Sequence, residues 1–204
     1  MSSGVLEVGF GPAALDAAER TLISKLRRRE PGAFELLVRQ HQDRVFDFCV
    51  RMLGGDREEA SDLVQEIFVS VHQNLETFRA DAKLSTWILR IAKNHSLNRL
   101  KYLKRRGRGR SEKYEEVAEA ALQDAVGAPA RPDEALDAAR ERELVQRAIA
   151  KLDDDHRMLV VLRDIEGLSY EEIVEITELA VGTVKSRLHR AREKLANILA
   201  GLDE

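Results

Sequence analysis

The chain has 204 residues, 44% hydrophobic and 34% charged, and a formal net charge of −3. With 12 Gly, 4 Pro and 5% aromatic residues it has too few turn formers and rings for a sandwich or barrel, so an all-β fold is excluded in favour of helices. Its longest apolar run, Met158–Leu162, is far short of a membrane span. Its single cysteine, Cys49, excludes a disulfide framework and a zinc knuckle.

In chain order, Leu15, Leu22 and Leu26 suggest a helix after a Gly-rich start (Gly4, Gly9, Gly11). Met1-Ser2-Ser3-Gly4 lacks the basic flank and apolar core of a signal peptide, so the expectation is a cytoplasmic protein with no direct membrane insertion. Phe34, Leu37, His41, Val45, Phe48 and Met52 recur at three and four and form one apolar stripe, with Pro31 placed in a first helical turn. Gly54-Gly55 ends that helix, and Asp56 with Glu59 three residues on is a capping-box pattern for the next. Ala60, Leu63, Val64, Ile67, Phe68, Val71 and Leu75 form its stripe. Another helix begins near Leu84 and carries Trp87, Ile88 and Ile91. Such stripes can only be buried against one another, so about 14 to 105 should form one bundle. Residues 107–140 hold Gly107, Gly109, Gly127, Pro129 and Pro132 and few large apolar groups, a linker with a short helix around Val117–Ala121. Period returns with Leu144, Ala148, Leu152, Met158, Val161, Leu162 and Ile165. The expected fold is all-α: an extension at 1–20, a helical domain at 21–106, a flexible linker at 107–140, and a second domain at 141–204.

Charge is segregated along this plan. Seven of the twelve residues Arg99–Arg110 are basic, whereas Ser111–Glu143 has ten acids against four bases. Thr183–Lys194 is basic again, with Lys185, Arg187, Arg190, Arg192 and Lys194 against Glu193. Such blocks suit a polyanion partner, or simply solvated helix faces.

Ser169-Tyr170-Glu171-Glu172 is a second capping box, with Ile173 and Ile176 as the inner face of a short helix. The chain breaks at Thr177–Ala180, and a longer helix opens at Val181-Gly182-Thr183 with Thr183 as N-cap. Val184, Leu188, Ala191, Leu195 and Ile198 are its buried stripe. The remainder (Lys185, Ser186, Arg187, His189, Arg190, Arg192, Glu193, Lys194) is a polar, basic face able to enter a major groove. That is a helix-turn-helix layout. In the first domain, the polar stretch Phe78–Thr86 beside Trp87 and a basic helix suits single-stranded nucleic acid, with the indole itself in the core.

Asp62–Phe68, Phe78–Asn94, Gly167–Ile173 and Val181–Arg187, in that order and with that gap, closely resemble the extracytoplasmic-function sigma factors of bacterial RNA polymerase, nearest the envelope-stress subgroup. The resemblance implies a factor that binds core polymerase and directs promoter-specific initiation by recognising and helping to melt promoter DNA. It implies contact between the clamp helices of the largest polymerase subunit and Asp62, Gln65 and Glu66, with Leu63, Ile67 and Phe68 shared between core and interface. Arg79, Lys83, Ser85, Thr86, Arg90, Lys93, Asn94, Arg99 and Lys101 match the element that reads the minus-ten sequence as a single strand. Asn94 falls where the family holds a flipped-out base. Thr183, Lys185, Ser186, Arg187, His189, Arg190 and Lys194 match the reader of the minus-thirty-five duplex. Lys185 stands where many relatives carry Arg and lacks the planar guanidinium fork. The resemblance also implies an anti-sigma factor, often anchored in the inner membrane, and an acidic linker threading a basic polymerase channel.

An enzyme is not expected, nor any cofactor or metal. The five histidines show no metal-ligand spacing, no phosphate loop or nucleophile elbow occurs, and Asp153-Asp154-Asp155 reads as a solvated helix start. An ordinary helix-turn-helix regulator accounts for Ser169–Lys194 but not for Asp62–Phe68 or Phe78–Asn94. A protein-only helical adaptor leaves the basic blocks unexplained.

Overall fold

The computed structural model describes residues 15–80, 82–107, 141 and 143–202, and every regular element among them is helical. The expected linker helix and the Gly-rich start lie outside the described residues. The elements are α1 (Ala17–Arg27), α2 (Ala33–Met52), α3 (Arg57–Asn74), a 3-10 turn (Leu75–Thr77) and α4 (Leu84–Gly107). A helix at 143–150, here α5, is followed by α6 (Asp154–Val160), which runs on as a π turn (Val161–Ile165), then α7 (Tyr170–Thr177) and α8 (Val181–Ala200).

Local chemistry sets most of these ends. Asp16 caps α1 by accepting from the Glu19 amide, and Asp56 caps α3 by accepting from the Glu59 amide at 2.9 Å. The Glu59 carboxylate does not return the bond; it takes Arg99 instead, so only half of the expected box forms. Pro31 lies ahead of α2 rather than within its first turn. Gly32, at φ 78, bends the chain in the left-handed region, and the helix begins only at Ala33. Ser169 and Glu172 form the complete box at α7. Thr183 is not an N-cap: Ala180 takes that position, and the Val184 amide donates to the Ala180 carbonyl at 3.0 Å. The turn before it bends at Glu178, whose φ of 61 ends α7.

In the first module α2, α3 and α4 pack on one another and α1 packs on α2. Leu37, Phe48, Met52, Leu63, Ile67, Leu84, Ile88 and Leu89 are all fully buried there, each stabilising the fold by about 1.5–3 kcal/mol. Trp87 belongs to this core, its ring 5.1 Å from that of Phe78. Cys49 is also buried, against Ser96, and burial pushes its thiol up to about 12. In the second module Leu159, Leu162, Ile173, Ile176, Val184 and Leu188 close the core between α6, α7 and α8.

The two modules meet along a buried seam, with α7 against α4 and α6 against α2. Arg157 holds it. The guanidinium donates to the carbonyls of Ile149 (3.2 Å), Ala150 and Leu152 (3.0 Å) at the end of α5, and of Met52 (2.6 Å) at the end of α2. One side chain thus satisfies the orphan carbonyls of two helix ends, one in each module. Ion pairs Arg44–Glu166 at 2.7 Å, Lys83–Glu172 at 2.8 Å and Lys104–Asp154 at 2.6 Å border the seam.

Replacing Arg157 by Met keeps volume but strands those carbonyls. Arg157→Met is expected to lower the urea-unfolding free energy by about 3 kcal/mol. A loss below about 1 kcal/mol contradicts the seam's dependence on this residue.

Candidate nucleic-acid interface

The loop between the 3-10 turn and α4 is held from two sides. Phe78 anchors it in the core, and Arg27 of α1 donates to the Phe78 carbonyl. Glu19 of α1 accepts from the Leu84 amide at 2.6 Å and so satisfies a donor at the start of α4. Between this fixed loop and α4 lies an open recess of about 530 Å³, lined by Thr77, Phe78, Arg79, Ala82, Thr86, Trp87, Arg90 and, from α7, Glu175. Thr86 is only 2% exposed, and among the described residues its buried hydroxyl has no hydrogen-bond partner. A recess with an aromatic wall flanked by two arginines suits a planar polar group carrying negative charge nearby.

Down α4, Thr86, Arg90, Lys93, Asn94 and Lys101 recur at helical spacing on one face. Arg79, Arg90, Asn94 and Lys101 are exposed; Lys83, Ser85 and Lys93 are half-buried. Burial lowers the Lys93 pKa, aided by Arg90 and opposed by Glu178. Arg99 faces elsewhere: it binds Glu59 at 2.5 Å and Glu66 at 2.7 Å, tying α4 to α3.

On α3 the polymerase-matching stretch divides by burial. Leu63 and Phe68 lie in the core, whereas Asp62, Gln65 and Glu66 are exposed. Val69, 56% exposed, adds an apolar group to that face. The sequence reading missed Val69, although its position three beyond Glu66 puts it on the same strip.

The basic face of α8 also divides. Lys185, Ser186, His189 and Arg190 are exposed. Lys185 lies 5.3 Å from the Tyr170 ring, which Arg163 also approaches, at 4.8 Å. Arg187, Arg192 and Lys194 turn toward α6 and its π turn, where they pair with Asp155, Asp164 and Asp153. Thr183 is half-buried in the first turn, its carbonyl accepting from Ser186. Asp153 also caps α6 and contacts His156. Burial acts to raise its pKa, but the hydrogen bonds from His156 and Lys194 outweigh it and hold the carboxyl well below the usual range. The Asp153–Asp155 run is therefore an ion-paired helix start.

Sequence reading also missed the contribution of α7. Glu172 and Glu175 reach the recess side of α4 from the other module, and only their spacing along a capped helix hinted at a common face.

The Sigma-70 region 2 family matches residues 37–107, and the Sigma-70, region 4 family matches residues 142–195. The ECF RNA polymerase sigma-E factor of Escherichia coli is 36% identical over 183 residues, covering 88% of this chain and 93% of that protein. Its namesake from Haemophilus influenzae is 34% identical, covering 88% and 94%. CnrH, solved in complex with the cytosolic domain of CnrY, is similar with a TM-score of 0.62 at 25% identity, over 90% of this chain and 98% of that one. The sigma factor RpoE from Bartonella quintana, solved with the anti-sigma factor NepR, shares the fold with a TM-score of 0.60 at 23% identity, over 83% and 98%. With both sigma regions in order on two helical modules, and this identity across nearly the full length of the relatives, the chain belongs to the extracytoplasmic-function sigma factors, which direct promoter-specific initiation by RNA polymerase.

Proposed function

We propose that the residues above divide the work of initiation among three surfaces. The exposed strip Asp62, Gln65, Glu66 and Val69 of α3, backed by buried Leu63 and Phe68, docks on the clamp helices of the largest polymerase subunit. The recess and the outer face of α4 take the minus-ten region as a single strand. Arg79, Arg90, Lys93 and Lys101 neutralise phosphates, the Thr86 hydroxyl and Ser85 offer hydrogen bonds, and Asn94 holds an extruded base. The observation that carries this reading is the recess walled by Trp87 and flanked by Arg79 and Arg90, at the head of the polar face of α4. Arg99 supports that surface from behind through Glu59 and Glu66 rather than meeting DNA itself.

The minus-thirty-five duplex is read by Lys185, Ser186, His189 and Arg190. Thr183 at the start of the helix and Arg187 and Lys194 at its edge serve the phosphates once DNA competes with their aspartate partners. Two readers on one chain raise the effective concentration of the second contact after the first. The four divisions at 1–20, 21–106, 107–140 and 141–204 follow this plan, with the acidic linker threading a basic channel of the polymerase. The protein makes and breaks no covalent bond; the polymerase does. It acts in the cytoplasm, where the polymerase it serves transcribes. The complexes of CnrH with CnrY and of RpoE with NepR support an anti-sigma factor as a further partner, able to hold the protein at the inner membrane.

Two variants test the readers separately. Arg190→Ala is expected to weaken binding to a minus-thirty-five duplex by about 1–3 kcal/mol, the worth of one guanine contact. Unchanged duplex affinity removes Arg190 from the reading face. Asn94→Ala is expected to slow open-complex formation while core-polymerase affinity stays the same. Equal rates of promoter opening for variant and parent refute base capture by Asn94.

A further inference from the structure

Helix α1 lies ahead of residues 37–107, the part matched by the Sigma-70 region 2 family. It is nonetheless fastened to both ends of the loop that edges the recess. Leu22, Ile23 and Leu26 bury its inner face, and it packs on α2 and the 3-10 turn. Near its C-terminal end Arg27 donates to the Phe78 carbonyl at 3.4 Å; near its N-terminal end Glu19 accepts from the Leu84 amide at 2.6 Å. Phe78 and Leu84 bracket the loop, and Phe78, Arg79 and Ala82 line the recess. Ala80, between them, sits at φ 62, a left-handed conformation that strains a residue with a Cβ. Such backbone persists only where its surroundings impose it.

Glu19 occupies the N3 position of α1, behind the Asp16 cap, where a glutamate commonly turns back on its own helix. One oxygen of its carboxylate crosses to α4, 65 residues on. The first turn of α4 has use for it. The Trp87 amide donates to the Lys83 carbonyl at 3.1 Å, so Lys83 opens that helix, and an ammonium side chain accepts nothing. The Leu84 amide is an orphan donor of this turn, and α1 supplies its acceptor. Ser85, Thr86 and Arg90 follow within two turns, so the setting of the first turn aims all three. Glu19 carries the charge sign of a phosphate, which suits it to hold the loop and not to meet the strand.

We propose that Glu19 is a positioning residue of the minus-ten reader, with Arg27 as its counterpart at the other end of the loop: together they hold the recess in one shape, and the choice of base depends on that shape. This rests on the minus-ten assignment above. A tie that only stabilised the fold would change how much active protein there is; a tie that shapes the recess changes which base it prefers.

The test uses polymerase loaded with the full chain, as the parent and as Glu19→Ala, Glu19→Gln, Arg27→Met and Asn94→Ala. The probe is a forked promoter, single-stranded over the minus-ten stretch of the non-template strand. It is made in four versions that differ at the base the parent discriminates most, and all affinities are measured at one salt concentration. The parent is expected to prefer one base by about tenfold, the worth of one good base contact. Glu19→Ala and Arg27→Met bring that ratio down to about twofold, because an untethered loop no longer holds the recess to one geometry. Glu19→Gln, whose side-chain carbonyl still accepts from Leu84, keeps the ratio of the parent. Core-polymerase affinity stays unchanged in all of them. If Glu19→Ala loses core affinity through misfolding, Arg27→Met, at an exposed position, carries the test with the same expected fall.

A parental ratio in Glu19→Ala and Arg27→Met overturns the proposal, as does an equal weakening of all four probes. So does a Glu19→Gln chain that loses discrimination as fully as Glu19→Ala, since the acceptor is then not what matters. In each of these cases weaker strand binding by Asn94→Ala leaves the minus-ten assignment standing. An Asn94→Ala chain that binds all four probes as the parent does overturns that assignment, and the positioning role with it.

Discussion

Helices that end inside a protein leave carbonyl oxygens that must find donors, and here a single buried guanidinium meets that need for both halves of the molecule. Arg157 binds the carbonyls closing α5 and the last carbonyl of α2. It is buried, and its guanidinium donors go to backbone carbonyls. Burial pulls its pKa down, with Asp154 and Asp153 opposing. That arrangement fixes α6 on α2, and with it the position of α7 on α4. The relation between the two faces assigned to DNA therefore follows from backbone hydrogen bonds, not from the faces themselves.

Ion pairing then sorts the cations. Arg99, Arg187, Arg192 and Lys194 have acidic partners on neighbouring elements, whereas Arg79, Arg90 and Arg190 are exposed on the faces assigned to DNA. The exposed pairs of α8 add little stability but orient it on α6, and the partly buried Arg99 pairs orient α4 on α3. The basic blocks seen in the sequence thus contain two kinds of residue: those that aim a helix and those left over to meet a polyanion.

Much of this was legible in the sequence because the signals were local. The stripes of α2, α3 and α8, the Ser169–Glu172 box and the break at Thr177–Ala180 depend only on helical period and capping, and each is present. What escaped depends on distant contacts. Thr183 looks like a cap by residue type, but the extended backbone at Ala180 starts the helix earlier. The π turn at Val161–Ile165 starts at the end of an apolar run and has no Gly or Pro to mark it. Arg157 sits in an ordinary helical pattern, and nothing local tells that its partners lie up to 105 residues away. Arg99 and Arg187 carry the same charge as their exposed neighbours, and only the fold sets them apart.

The central claim is that this chain confers start-site choice on a polymerase that lacks it. Transcript 5′ ends should be mapped after reactions of purified core enzyme on genomic DNA, with and without the protein. The account predicts a discrete new set of starts, each preceded by one shared pair of elements at constant spacing, one reader's length upstream of the other. The same distribution of starts in both reactions contradicts it.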